Sequence, residues 1–251
     1  VNAFLEKNKK ALVVLLILCL VALVGFIVTN LVMTNQKENN LAKLDQITYE
    51  LTNDSATLED AEIQTRINDA LTKLEKLRTS SGIVGSRANL LAADLLFRQG
   101  KFEDAIKAYE KAASLKNKSY IAPLAYYNIA VCYEELKDIA NAEANYKKAV
   151  EYEDFLLLTH AKFSYGRILE TQGKYKEAVE VYTELNDSTP EDTWAKMAKT
   201  IYDEKRQYQA DIIKGFAKNG VVERSAKYYD KNLAMDKEIL LEFLKSTQEK
   251  E

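Results

Sequence analysis

The sequence predicts an all-α protein: an α-solenoid of stacked helical hairpins behind one N-terminal transmembrane helix, closed by a C-terminal capping helix. Three observations predict it. Only 8 Gly and 2 Pro occur in 251 residues, too few for the turns of a sandwich or barrel and ample for long helices. A single uncharged, largely apolar stretch fills residues 11–33. From residue 86 onward the same residue types return at spacings of 37 and 36, as they do in a repeat array.

The apolar stretch comes first. Ala11 to Val28 is unbroken, and Leu31-Val32-Met33 extends it past Thr29 and Asn30. Its 23 residues make about 34 Å of helix, enough to cross a hydrocarbon core of about 30 Å. A cleaved signal peptide has a shorter core and a small-x-small site after it, which Thr29 to Gln36 lacks. A lipoprotein needs a small residue before its cysteine, but Leu18 precedes Cys19. A buried core helix of this length needs a larger domain around it. The expectation is therefore an uncleaved anchor over 11–33. Lys7, Lys9 and Lys10 precede it, against Lys37 beside Glu38 after it. The positive-inside bias puts residues 1–10 in the cytoplasm and the rest across the membrane, which in a bacterium is the periplasm. The chain opens on Val1, and this charge count applies from there on.

Residues 37–80 read as a helical pair capping the solenoid. Leu41, Leu44, Ile47 and Leu51 mark one amphipathic helix; Ile63, Ile67, Leu71, Leu74 and Leu77 mark the other. Asn53-Asp54-Ser55 supplies the turn, Thr57 and Asp60 a capping box, and Ser80-Ser81-Gly82 a short linker.

The repeats follow over 86–218. Ala93, Ala130 and Gly166 fall in step, then Leu96, Tyr133 and Leu169, then Gly100, Lys137 and Gly173. Ala105, Ala142 and Ala178 come next, and Tyr109, Tyr146 and Tyr182 four residues later. The small residues let two antiparallel helices approach. Gly ends the first helix in a left-handed conformation, and the aromatic ring fills the space left. This order resembles the tetratricopeptide repeat, with hairpins at 86–119, 123–156 and 159–190. Pro123 sits where a helix start tolerates proline. A degenerate fourth unit at 191–218 keeps Trp194, Ala198, Ile201 and Ala210, and 220–251 supplies the C-terminal helix and tail.

Little in the sequence points to catalysis. His160 is the sole histidine, and no nucleophile elbow, phosphate-binding glycine loop, zinc spacing or EF-hand accompanies it. No enzyme activity, cofactor, metal or small-molecule substrate is expected. The first 36 residues carry +2, so the remainder carries −5, which offers no basic footprint for nucleic acid. Cys19 and Cys132 fall on opposite sides of the membrane boundary and are not expected to pair. Three Asn-x-Ser sequences, at Asn53, Asn117 and Asn186, read as polar turns.

The solenoid does offer a concave surface lined by the first helix of each hairpin. Counting from Ser86, Pro123 and Thr159, the inward places give Arg87, Leu90, Asp94 and Phe97; Leu124, Tyr127, Val131 and Glu134; and His160, Phe163, Arg167 and Glu170. The resemblance raises the carboxylate clamp of chaperone-binding tetratricopeptide domains. Only Arg87 and Asn128 stand at clamp-like places, so that ligand is not expected. The apolar members suit an extended or helical peptide, unless the chain's own terminal helices fill the groove.

The whole arrangement resembles the single-span, YfgM-type tetratricopeptide proteins that accompany the bacterial Sec translocon. Phe4-Leu5-Glu6-Lys7-Asn8-Lys9-Lys10-Ala11-Leu12 looks like that family's approach to the membrane; the extra helix after Gly220 departs from it. The resemblance implies an inner-membrane adaptor whose partners are translocon subunits, a periplasmic chaperone and exported polypeptides. The alternatives are a scaffold subunit of an envelope machine, such as a flagellar motor or outer-membrane assembly complex, and a cytosol-facing anchored receptor.

Overall fold

A computed structural model describes residues 2–55, 58–115, 120–201 and 203, which are helical with short turns and include no strand. The helices are α1 (Asn2–Thr52), α2 (Asp60–Arg78), α3 (Gly82–Arg98), α4 (Phe102–Ser114), α5 (Ile121–Glu135), α6 (Ile139–Val150), α7 (Leu158–Thr171) and α8 (Tyr175–Ser188). A ninth, α9, begins at 193 and is described to 201. Thr57, the 116–119 loop, the rest of the fourth unit and the 220–251 helix lie outside the described residues; the N-cap of α2 is Glu59, without a side-chain capping bond, and not the box expected from Thr57 and Asp60. Two compact units result, Val1–Ala88 and Asn89 onward.

In the first unit, the apolar stretch and the first amphipathic helix are one continuous helix of 51 residues, where the sequence reading separated 11–33 from 37–80. The chain offers no reason to stop, since neither Gly nor Pro occurs between Phe26 and Ser81. Thr29 and Asn30, the polar residues inside the stretch, turn their side chains back onto the carbonyls of Gly25 and Phe26 at 2.7 and 2.9 Å. Such back-bonding satisfies them without interrupting the helix. From Val13 to Met33 every large apolar side chain is 48–68% exposed, so none of the described residues covers this surface. The helix is long and apolar enough to cross a membrane.

Burial begins at Leu44 and Ile47, on the α1 stretch that packs against α2, which buries Ile67, Ala70, Leu74 and Leu77. The Arg66 guanidinium donates to the Glu50 and Asn53 carbonyls at 3.0 and 2.5 Å, closing the end of α1. Asp60 and Glu62 open α2, and Lys76 and Arg78 end it, each sign complementing the helix dipole.

From Asn89 onward the second unit stacks the rest of α3 with α4, then hairpins α5–α6 and α7–α8, and each turn repeats one geometry. Gly100, Lys137 and Gly173 take φ of 71°, 62° and 75°. The next amide then reaches back five residues: Lys101 to Leu96 at 3.0 Å, Asp138 to Tyr133 at 2.8 Å, and Lys174 to Leu169 at 2.9 Å. This is the Schellman closure. It gives the Leu96, Tyr133 and Leu169 column a second role, as the carbonyls that accept the closing bond of the turn. Pro123 falls in the first turn of α5, where its missing N–H leaves no bond unmade.

Between the paired helices, Ala93, Ala130, Ala105 and Ala142 are wholly buried. Gly166 is the tightest point: a Cβ there would lie 2.3 Å from the Tyr182 ring. Tyr109 packs with Ala93 of its own hairpin and with Ala125, Ile129 and Cys132 of the next. Tyr146 likewise joins Ala130 to Ile168. The aromatic column thus seals each hairpin and the joint to its successor.

Lys137 holds a left-handed conformation that costs a non-glycine residue about 1 kcal/mol. Lys137→Gly is therefore expected to raise the thermal midpoint of the repeat unit, by about 1 kcal/mol of stability in a denaturation experiment.

Candidate functional site

The stacking geometry sets first helices side by side, and the candidate residues report it directly. The Tyr127 hydroxyl lies 3.2–3.3 Å from the His160 ring nitrogens. The His160 ring in turn stacks on Trp194, with centroids 3.8 Å apart and planes 11° apart. Tyr127, His160 and Trp194 come from α5, α7 and α9, so one aromatic row crosses three consecutive first helices. Phe163 stands behind it, 5.3 Å from Trp194 and 6.1 Å from Tyr182.

Glu134 ties the same helices electrostatically. It accepts from the Tyr146 hydroxyl of its own hairpin at 2.5 Å and from the Arg167 guanidinium of the next at 2.7 Å. A half-buried carboxylate between a phenol and a guanidinium is held by two strong, charge-assisted bonds. Burial, and then the Glu134 carboxylate, push the Tyr146 phenol far above its ordinary value, so it remains a donor at any working pH. One hairpin earlier, Tyr109 donates to Asp94 at 2.5 Å and also reaches Asn128. Burial raises the Asp94 carboxyl despite that bond.

The predicted residues therefore sort by environment. Leu90, Phe97, Leu124, Tyr127 and Val131 are half-buried, each with part of its surface free. Phe97 leans on Phe102 at 5.3 Å. Phe163 is only 7% exposed and belongs to the core cluster with Leu169, Tyr182 and Ala195. Asp94, Asn128, Glu134, His160 and Glu170 are half-buried, and Arg167 is exposed. Arg87 lies in the first unit, where it pairs with Asp45 at 2.8 Å. Trp194 was read from the sequence only as a register mark; its sequence signal was the sole Trp of the chain, one turn past Pro190.

Among the described residues, no three His, Cys, Asp or Glu side chains gather as a metal site. Cys132 is fully buried, and burial pushes its thiol up to about 12, which leaves it unreactive. The arrangement is a surface of rings, aliphatic groups and paired charges, suited to contact rather than to proton transfer.

Stacked antiparallel hairpins with such a face define a helical-repeat binding protein. Residues 90–155 and 159–192 match tetratricopeptide repeat families; the chain carries these repeats, and such repeats mediate protein–protein interaction. A TPR repeat-containing protein of Treponema pallidum (strain Nichols) is 30% identical over 141 residues, covering 55% of this chain. The match spans 59% of that relative's length. Among solved structures, the nearly identical TPR-like repeats of a Podosopora anserina kinesin light chain align with TM-score 0.50 at 12% identity. That alignment covers 76% of this chain and 95% of that one, and it shows the fold. MamA aligns at 21% identity with TM-score 0.42, over 51% of this chain and 70% of its own.

Burial, with Arg167 adding to it, lowers the His160 pKa below its ordinary 6.5. The neutral ring is thus favoured in the folded state. Its contribution to stability is present above the ordinary 6.5 and is lost as pH falls from there through the lowered folded value, since the unfolded chain takes up the proton first. The stability difference between the parent and His160→Gln, measured by urea unfolding, is expected to shrink from pH 7.5 to pH 5.5.

Proposed function

We propose that this chain is a membrane-anchored adaptor that holds other polypeptides on the concave face of its repeats. The observation that carries the reading is the row across α5, α7 and α9, with the half-exposed side chains of Leu124 and Val131 beside it. Apolar surface flanked by paired charges suits an extended or helical segment of a partner. The uncovered α1 surface supports anchoring, and the flanking lysines support an N-terminus in the cytoplasm with repeats in the periplasm. In this reading residues 37–80 cap the solenoid, the partners are exported or envelope polypeptides near the Sec translocon, and the chain performs no catalysis.

A second reading has its own observation. Phe155 is buried and pins the α6–α7 loop, leaving Leu156 89% exposed beside Leu157 and Tyr152. A scaffold subunit of an envelope machine would use such an edge rather than the groove.

Val131→Lys separates the two. Its aliphatic stem keeps the packing, while its ammonium sets a charge in the apolar strip. Capture of crosslinked polypeptides by the full-length chain is expected to fall about tenfold with the thermal midpoint nearly unchanged. A fixed-stoichiometry complex that survives Val131→Lys and dissolves on Leu156→Ser would favour the scaffold.

A further inference from the structure

The first unit contains an open cleft of about 870 Å³ that the adaptor role leaves unused. It runs along α1 from Val32 to Glu50 and along the end of α2 from Lys73, continuing to Thr79 and Ser80 just past it, so it starts inside the last turn of the apolar stretch. Its volume falls within the range of small-molecule sites.

The lining is rich in hydrogen-bond donors. Asn35, Asn39 and Ser80 stand near the apolar end, and Lys43 and Lys76 above them. The one carboxylate in the lining, Glu50, is taken by Lys73 at 2.6 Å. Lys43 and Lys76 therefore set two further positive charges in a cleft with no other acid among the described lining residues. Neutral amides and hydroxyls with two ammonium groups match the oxygens of a phosphate ester.

Height along the helix gives the second argument. The headgroup layer extends about 5–8 Å beyond the hydrocarbon on each side. Asn35 and Asn39 stand about 3 and 9 Å past Met33 at about 1.5 Å per residue. Lys43 is about 15 Å past it, and its flexible stem can reach back toward the membrane.

We propose that this cleft binds the phosphate of an anionic phosphate ester, supplied by a phospholipid of the leaflet the helix leaves. The proposal rests on α1 spanning the membrane. A bound lipid would tie α2 to the surface and fix how the first unit stands on its anchor.

The test uses the full-length chain in nonionic detergent, read by native mass spectrometry after adding phosphatidylglycerol or phosphatidylcholine. Phosphatidylglycerol is expected to be retained in preference, and Lys43→Gln with Lys76→Gln to weaken it about 30-fold. Glu50→Gln, which releases Lys73 into the cleft, is expected to strengthen it. Glycerol 3-phosphate is the second probe: lysine-dependent binding of it at equal strength assigns the site to a soluble phosphate, and failure to compete assigns it to the lipid. Equal retention of the two lipids, or equal phosphatidylglycerol binding by parent and both variants, overturns the proposal. Carbonate extraction reports separately on the anchor. Release from the membrane with lysine-dependent glycerol 3-phosphate binding would overturn the span and keep the cleft.

Discussion

Everything in the repeat unit depends on how closely two helices of a hairpin can approach. Ala93, Ala130 and Gly166 keep that approach open, and a tyrosine from the second helix closes it. At Gly166 even one methyl group would collide with the buried Tyr182 ring, an overpacking that typically costs about 1–3 kcal/mol. Once the helices sit this close, the phenols of Tyr109 and Tyr146 come within bonding distance of acids on the first helix. A buried phenol without such a partner would forfeit about 1–3 kcal/mol. In these two hairpins spacing and hydrogen bonding therefore support one another.

The row is built from contacts between hairpins, which is why it forms a surface. Glu134 joins α5, α6 and α7 through one carboxylate. His160 joins α5 to α9 through its edge and its face. Side chains tied at both ends lose little further freedom when a partner arrives, which lowers the entropy cost of association. The same ties explain why the face is only half-exposed: the residues that shape it also hold the stack together.

Much of this architecture was legible in the residues. The Gly, Ala and Tyr columns name the hairpin turns because a left-handed turn, a close approach and a ring each require a particular residue type. Lys137 shows the strength of register over composition, since its column placed it in the turn and it adopts φ 62° there. The continuity of α1 was not legible, because the apolar pattern stops at Met33 and helical spacing resumes only at Leu41, so the polar residues between them read as a break. Nor was the pairing of Glu134 with Arg167, 33 residues away. Phe163 occupies a groove-like place by count, yet turns into the core where Trp194 and Tyr182 leave room. The α1–α2 cleft depends on how two helices pack, which no spacing within either one records.

The central claim is that partners meet the first helices rather than the second. A benzophenone amino acid at Leu124, on α5, and separately at exposed Ala144, on α6, tests it in cells expressing the full chain. Photocrosslinks to other polypeptides from residue 124, absent from residue 144, are the predicted result. Crosslinks from residue 144 with none from residue 124 would contradict the account and move the binding surface to the outer face.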